Sequence, residues 1–144
     1  AVAPTKSPDR FEWLLEKATE VGVTEFLPLD TAHSERHVFK PARGEKVITA
    51  ALKQSLKAYR PALLPLTPFR EAVLREKAAV FIGPEGDFSP EEIDFALARG
   101  FEEITLGTQR LRTETAALAA AVMASVVNPP ERRDLGVAEA GNGL

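Results

Sequence analysis

Two stretches of this chain hold residue types that can do chemistry, residues 82–89 and residues 106–115. In the first, Ile82 leads into Gly83-Pro84-Glu85-Gly86, and Asp87, Phe88 and Ser89 follow. Glycines allow positive φ and close backbone approach, and free amides at a helix start can hold an anion or the polar edge of a ligand. Glu85 and Asp87 would repel a phosphate, so a ligand with a cationic centre suits this loop better. A plain tight turn into a helix explains the same residues, and the loop alone does not choose between the two. The spacing is neither Gly-x-Gly-x-x-Gly nor a loop closing on Gly-Lys-Ser/Thr, so neither a dinucleotide fold nor a P-loop is indicated.

The second stretch, Leu106-Gly107-Thr108-Gln109-Arg110-Leu111-Arg112-Thr113-Glu114-Thr115, is odder for a connection. An ordinary link into a helix needs a turn and one cap, and Thr113 can supply the cap. Arg112 is misplaced in that reading, because a cation near a helix N-terminus opposes the macrodipole by up to ~1 kcal/mol. Glu114 offsets part of that. A cost left standing points to a use, such as holding a phosphate or a developing anion.

Helical and extended patterns alternate along the chain and must position these loops. Ser7-Pro8 reads as N-cap and first-turn proline, Phe11, Leu14, Leu15 and Ala18 recur at helical spacing, and Gly22 stops the helix. Residues 25–29 read as a short strand, 30–41 as a loop, and 43–59 as a second helix. Pro61, Pro65 and Pro68 bracket an extended piece, 62–66, before a weak helix over 69–76. Residues 78–82 are apolar without alternation, as in a strand covered on both faces. Ser89, Pro90 and Glu92 then spell a capping box, Gly100 ends that helix, and 103–106 reads as the next strand. The last helix spans 114–127, and 131–144 reads as a loose tail behind one domain of residues 1–130.

Such alternation predicts an α/β fold, a mainly parallel sheet with helices on both faces, whose ligands bind beyond the carboxyl ends of the strands. Both loops sit at such ends. The alanines of the last helix, Ala116, Ala117, Ala119, Ala120 and Ala121, permit close backbone approach, either within the core or across a dimer interface.

Composition narrows the field. A chain of 144 residues with 44% hydrophobic content is the size of one domain and needs no staples. The absence of cysteine removes disulfide frameworks and thiolate metal sites. His33-Ser34-Glu35-Arg36-His37 lacks metal-ligand spacing, and no Gly-x-Ser-x-Gly elbow occurs. The longest apolar run, 116–127, falls short of the ~20 residues of a membrane span, and the first residues do not read as a signal peptide. Together these suit a cytoplasmic protein without a metal. A net charge of −3 is awkward for a nucleic-acid binder, but Lys40, Arg43, Lys46, Lys53, Lys57 and Arg60 cluster, while acids concentrate in 71–76 and 87–103. Such a cluster is a solvated helix face or a basic side.

Up to about Asn128 the chain resembles the RsmE-type 16S ribosomal RNA uridine-N3 methyltransferases of the SPOUT superfamily. The residues carrying the resemblance are Lys17-Ala18-Thr19-Glu20-Val21-Gly22-Val23, Ser34-Glu35-Arg36, Gln54-Ser55, Ile82-Gly83-Pro84-Glu85-Gly86, Leu106-Gly107 and Leu111-Arg112-Thr113-Glu114-Thr115-Ala116. Their joint order and spacing are specific. The resemblance implies a C-terminal trefoil knot, a homodimer, S-adenosylmethionine as methyl donor, and ribosomal RNA or the small ribosomal subunit as partner. It also implies a small RNA-binding β-domain ahead of the first strand, which this sequence does not contain. Three departures stand out: Asp87 in place of a second glycine, Gln109 in place of an arginine, and Leu56-Lys57 in place of a Gly-Arg pair.

On that resemblance the donor loops are Ile82, Gly83, Pro84, Glu85 and Gly86 with Leu106, Gly107, Arg110, Leu111 and Thr115. Arg112 would stabilise negative charge on the uracil carbonyl oxygens, a role worth ~3 kcal/mol by analogy with oxyanion donors. Glu114 or Glu85 would take the N3 proton, with helix-dipole partner and turn residue as their plainer roles. Ser34, Arg36, Gln54 and Lys57 are the candidates for RNA contact. Two other readings stay open: a catalytically silent RNA- or nucleotide-binding module on this scaffold, and a methyltransferase for another base or for transfer RNA.

Overall fold

The computed structural model describes residues 1–75 and 79–128. Its sheet is assembled from short, proline-interrupted pieces that all run parallel. β1 (Glu25–Phe26) and β2 (Leu29–Asp30) form one extended stretch around Pro28, whose missing N–H breaks the ladder between them. On one side β1 pairs with β3 (Ala62–Leu63), and β2 with β4 (Thr67–Pro68), both in parallel. On the other side lies Val2, whose N–H donates to Leu27 and whose carbonyl accepts from Leu29, each at 3.0 Å. Val2 also bridges in parallel to Ile82, with Ala3 donating to the Ile82 carbonyl at 3.1 Å and Ile82 donating to Ala1 at 2.9 Å. The spatial order is therefore 62–68, 25–30, 1–3 and 80–82.

Side chains alternate across this sheet as strand geometry requires. Val2 and Phe26 point to the face covered by α1 (Pro8–Val21), α2 (Pro41–Ser55) and α5 (Thr113–Val127), where Phe11, Leu14, Leu15, Ala18 and Ile48 complete the core. Ala3, Leu27 and Leu29 point to the opposite face, against α3 (Phe69–Arg75), with α4 (Pro90–Leu97) packed beside it. The α/β architecture with helices on both faces is as expected.

α1 shows what holds these helices. Ser7 is its N-cap but makes no side-chain cap bond, a loss of ~1 kcal/mol. Burying Phe11, Leu14 and Leu15 contributes ~1.5–3 kcal/mol each, so packing outweighs capping. Gly22 ends the helix at φ 100°, a conformation that favours glycine.

Several expectations need correction. α2 stops at Ser55 rather than near residue 59, because Leu56 turns left-handed at φ 53°. Residues 79–82 are not covered on both faces: Val80 is exposed and Ile82 half-buried. Residues 103–106 form no strand, and Ile104 is 66% exposed. A strand needs a hydrogen-bonded neighbour, and none lies beside this segment among the described residues. The expected tail, 131–144, lies outside the described residues.

Candidate functional site

The two candidate loops meet through one hydrogen bond. Thr113 is the first residue of α5, and its hydroxyl donates to the Gly83 carbonyl at 3.1 Å. Thr113 is thus a tether and not the cap. The N-cap is Arg112, extended at φ −68° and ψ 156°, with no side-chain cap bond.

The first loop is fixed from several directions. Ser89 and Glu92 form the expected capping box, with the Ser89 hydroxyl accepting from the Glu92 N–H at 3.2 Å and Glu92 Oε2 accepting from the Ser89 N–H at 2.9 Å. The other carboxylate oxygen accepts from the Ala32 N–H at 2.8 Å, which joins the 31–34 turn to α4. His33 Nδ1 stands 3.0 Å from the Gly86 carbonyl and 3.1 Å from that of Asp87. Carbonyls only accept, so Nδ1 carries the proton. Glu85 Oε1 accepts from the Lys6 N–H at 2.9 Å. Gly86 is required by proximity, since a Cβ there would lie 3.1 Å from His33 Cβ. Asp87, where the resemblance expects glycine, keeps a glycine-like φ of 64° and caps its own turn by accepting from the Phe88 N–H at 2.8 Å. Leu56 and Asp87 are the two non-glycine residues at positive φ among the described residues, and the resemblance expects glycine at or beside both.

The second loop is barely held. Thr105 and Gly107 exchange hydrogen bonds locally, and Gly107 takes φ 115°. Leu106 is half-buried, while Gly107, Arg110, Leu111, Arg112 and Thr115 are exposed. Arg112 makes no ion pair among the described residues, so its cation stands free at the helix start. Glu114 behaves oppositely. It is buried, with Arg10 Nε 3.8 Å from Oε1.

Of the residues proposed for RNA contact, Arg36 is half-buried, and Gln54 and Lys57 are exposed near the end of α2. Ser34 is buried; its hydroxyl accepts from the Thr31 N–H at 3.0 Å and lies 2.9 Å from the Thr31 hydroxyl. That ties Ser34 to shaping the turn that carries His33. Lys17, within the motif shared with the family, bonds Glu16 and Glu20, which hold its ammonium above the ordinary lysine range. No group of three or more metal-ligating side chains converges among the described residues.

Beside the first loop opens a groove of about 950 Å³, which the second loop borders through Leu106. Ile82, Gly83, Asp87 and Phe88 line one side, and residues 102–104 with Leu106 line the other. Its surface combines an apolar bed with the charged residues Asp87, Arg99, Glu102 and Glu103. Sequence reasoning singled out both loops as candidates but missed His33, Glu92 as a link to Ala32, and Thr113 as the tether. The capping box was a visible signal for Glu92. The reach to a residue sixty positions away was not.

The family model for the RNA methyltransferase domain matches residues 1–78 and, as a second stretch, 71–125. The chain belongs to the RNA methyltransferase domain family. Its relatives are of the RsmE type, as the motifs imply. Ribosomal RNA small subunit methyltransferase E of Synechocystis sp. is 30% identical over 141 residues, covering 74% of this chain and 46% of that protein. A crystal structure of a probable rRNA-methyltransferase from Porphyromonas gingivalis superposes with a TM-score of 0.82 at 38% identity, over 88% of this chain and 65% of that one. Ribosomal RNA small subunit methyltransferase E from Neisseria gonorrhoeae, solved with S-adenosyl methionine bound, gives 0.78 at 27% identity, over 87% of this chain and 63% of that one. This RNA methyltransferase domain spans between 46% and 63% of the length of the curated relatives it matches.

Proposed function

We propose that this domain binds S-adenosylmethionine in the groove between residues 82–88 and 106–111 and methylates N3 of a uridine in small-subunit ribosomal RNA. The observation that carries this reading is the Thr113–Gly83 hydrogen bond, which joins the two motif loops into one cradle. The Neisseria relative, solved with the same donor, supports it. Ile82, Gly83 and Leu106 would hold the donor together with the backbone of Gly107, Arg110 and Leu111, and Asp87 and Glu103 would favour its sulfonium. Bound there, the donor supplies an electrophilic methyl group.

Uracil N3 attacks only after losing its proton. The negative charge then spreads onto the flanking carbonyl oxygens, and a free guanidinium at a helix start is well placed to stabilise it. Arg112 takes that role. Of the two candidate bases, Glu85 is committed to the Lys6 amide and Glu114 is buried beside Arg10. We assign the proton to Glu114, through a water or by a shift of its side chain. Methyl transfer forms the N3–carbon bond, breaks the sulfur–carbon bond and leaves S-adenosylhomocysteine. Arg36, Gln54 and Lys57 contact the RNA backbone, with Ser34 shaping the turn that carries Arg36.

A trefoil knot and a homodimer complete the proposal. The dimer finds support in α5, whose Met123, Val126 and Val127 are more than half exposed on an otherwise apolar helix. Among the described residues no helix is long and apolar enough to cross a membrane. A ribosomal substrate places the action in the cytoplasm. Calorimetry with S-adenosylmethionine tests the cradle, and mass spectrometry of small-subunit RNA from cells lacking the gene tests the product. Binding at one site per chain and loss of one N3-methyluridine are the expected results. Absence of binding at millimolar donor would leave only a silent module.

A further inference from the structure

α2 and the turn after it carry charge of the opposite sign to the chain as a whole. Residues 40–60 hold six cations, Lys40, Arg43, Lys46, Lys53, Lys57 and Arg60, against the single acid Glu45, a net +5 on a chain of net −3. Two of the six serve structure. Arg43 pairs with Asp9 and Glu12 of α1, and Arg60 with Glu45. The four lysines are exposed, and their ammonium groups make no ion pair or hydrogen bond among the described residues. Lys46 and Lys53, two helical turns apart, share one face, and Lys57 follows just beyond the helix end.

The turn after α2 is held firmly. The Lys57 N–H donates to the Leu52 carbonyl at 3.3 Å, behind Leu56 at its left-handed angle. Arg60 reaches back along the helix: Nη1 donates to the Thr49 hydroxyl at 2.8 Å, and Nη2 to the Glu45 carbonyl at 3.3 Å and to its carboxylate. The Ala62 N–H, at the start of β3, donates to the Thr24 carbonyl at 3.0 Å. Between these anchors stands Tyr59, 66% exposed. An exposed tyrosine is ordinary by itself. One fixed at the end of a row of unneutralised lysines is a stacking platform beside an anion track, the pairing that single-stranded nucleic acid requires.

The fold sets where this track lies. Residues 31–40 leave the carboxyl end of β2 beside the first loop, where His33 meets the Gly86 carbonyl. α2 starts at Pro41 and returns toward the opposite end of the sheet, where β3 begins. Lys40 therefore marks the end near the site, and Tyr59 the far end. The 15 residues of α2 span ~22 Å at ~1.5 Å each. That is the length of about six phosphates of a stacked strand.

We infer that α2 is a track for a single-stranded segment of the RNA substrate, which runs from the site along Lys40, Lys46, Lys53 and Lys57 and ends with a base stacked on Tyr59. This rests on the RNA substrate proposed above and not on the methyl-transfer chemistry. Affinity comes from nucleotides several positions away from the one modified. The strand there must be unpaired, because a duplex hides its base faces inside the stack.

Fluorescence anisotropy of the whole chain with a labelled single-stranded RNA of about twelve nucleotides, twice the length of the track, tests this. Tyr59→Ala should weaken binding by about 5- to 150-fold, the range for losing one stacked base, and Tyr59→Phe should return it to within about twofold. Replacing Lys46 and Lys53 together with Gln should flatten the slope of log affinity against log salt by about 1.4, the counterions of two phosphates. The replaced side chains are exposed, so the variants keep the fold. Equal binding by Tyr59→Ala would overturn the inference, and so would a duplex of the same sequence binding as tightly as the strand. Polyglutamate displacing the RNA with equal ease from the unaltered chain and from Tyr59→Ala would mark an acidic protein surface as the partner, and overturn it too. Turnover on small-subunit ribosomal RNA separates this inference from the proposed activity, because the loss in Tyr59→Ala should fall on KM. Strand binding that depends on Tyr59 without any methyl transfer defeats the methyltransferase reading alone. Methyl transfer whose KM ignores Tyr59 defeats this one alone.

Discussion

The two loops of the site are built in opposite ways. Residues 83–89 are pinned by Lys6, His33, Glu92 and Thr113, contributed by four separate parts of the chain. Residues 106–112 have a local Thr105–Gly107 contact at one end and the Thr113 tether at the other. One wall of the cradle is therefore set before any ligand arrives, and the other is free to settle around it. Free backbone groups and a free arginine are costly in a folded core but useful where a ligand must be gripped, so the loose loop carries the proposed chemistry and the pinned one the reference frame.

The contrast can be broken most sharply at Arg112. Replacing it with alanine should cut methylation by about 100- to 1,000-fold, the scale of losing one oxyanion donor, while urea unfolding stays unchanged because the side chain is exposed. A large stability loss would show that Arg112 holds structure instead. Glu92→Ala should do the reverse. It removes acceptors for the Ala32 and Ser89 amides and should cost about 2–3 kcal/mol in urea denaturation.

The glycines sharpen the comparison at smaller scale. Gly86→Ala drives a methyl group against His33 and should destabilise by about 1–3 kcal/mol, as overpacking does. Gly107→Ala meets nothing within 4 Å, so only its backbone angle resists. In a loop free to rearrange, that should cost no more than about 1 kcal/mol. Equal losses at the two positions would mean that both walls are rigid. Asp87→Gly should be the quietest change, within about 0.5 kcal/mol, because relief at φ 64° offsets loss of the Phe88 amide contact.

How much of this was written in the sequence follows the range of the interactions. α1 and α4 were legible to their first residues, because Ser7-Pro8 and Ser89-Pro90 with Glu92 are local signals. Both loops stood out as candidates by residue type, though the first read equally as a plain turn. What escaped was contact across the chain: Glu92 to Ala32, His33 to Gly86, and Thr113 to Gly83. The reading of 103–106 as a strand failed for a different reason. Ile104 and Leu106 state a local preference, but a strand exists only with a neighbour, and local pattern cannot say whether one is present. Leu56 ended α2 early because a left-handed leucine gives no warning in its own letter.

The placement of Val2 has a consequence for synthesis. Its ladder partners in the Ile82 strand lie eighty residues downstream, so the middle of the sheet closes only after that strand has left the ribosome. Until then the nascent segment displays one flank of the Val2 strand, bare, to anything else being translated nearby. Slow codons placed before Ile82 should therefore lower the yield of folded protein more than the same codons placed after it.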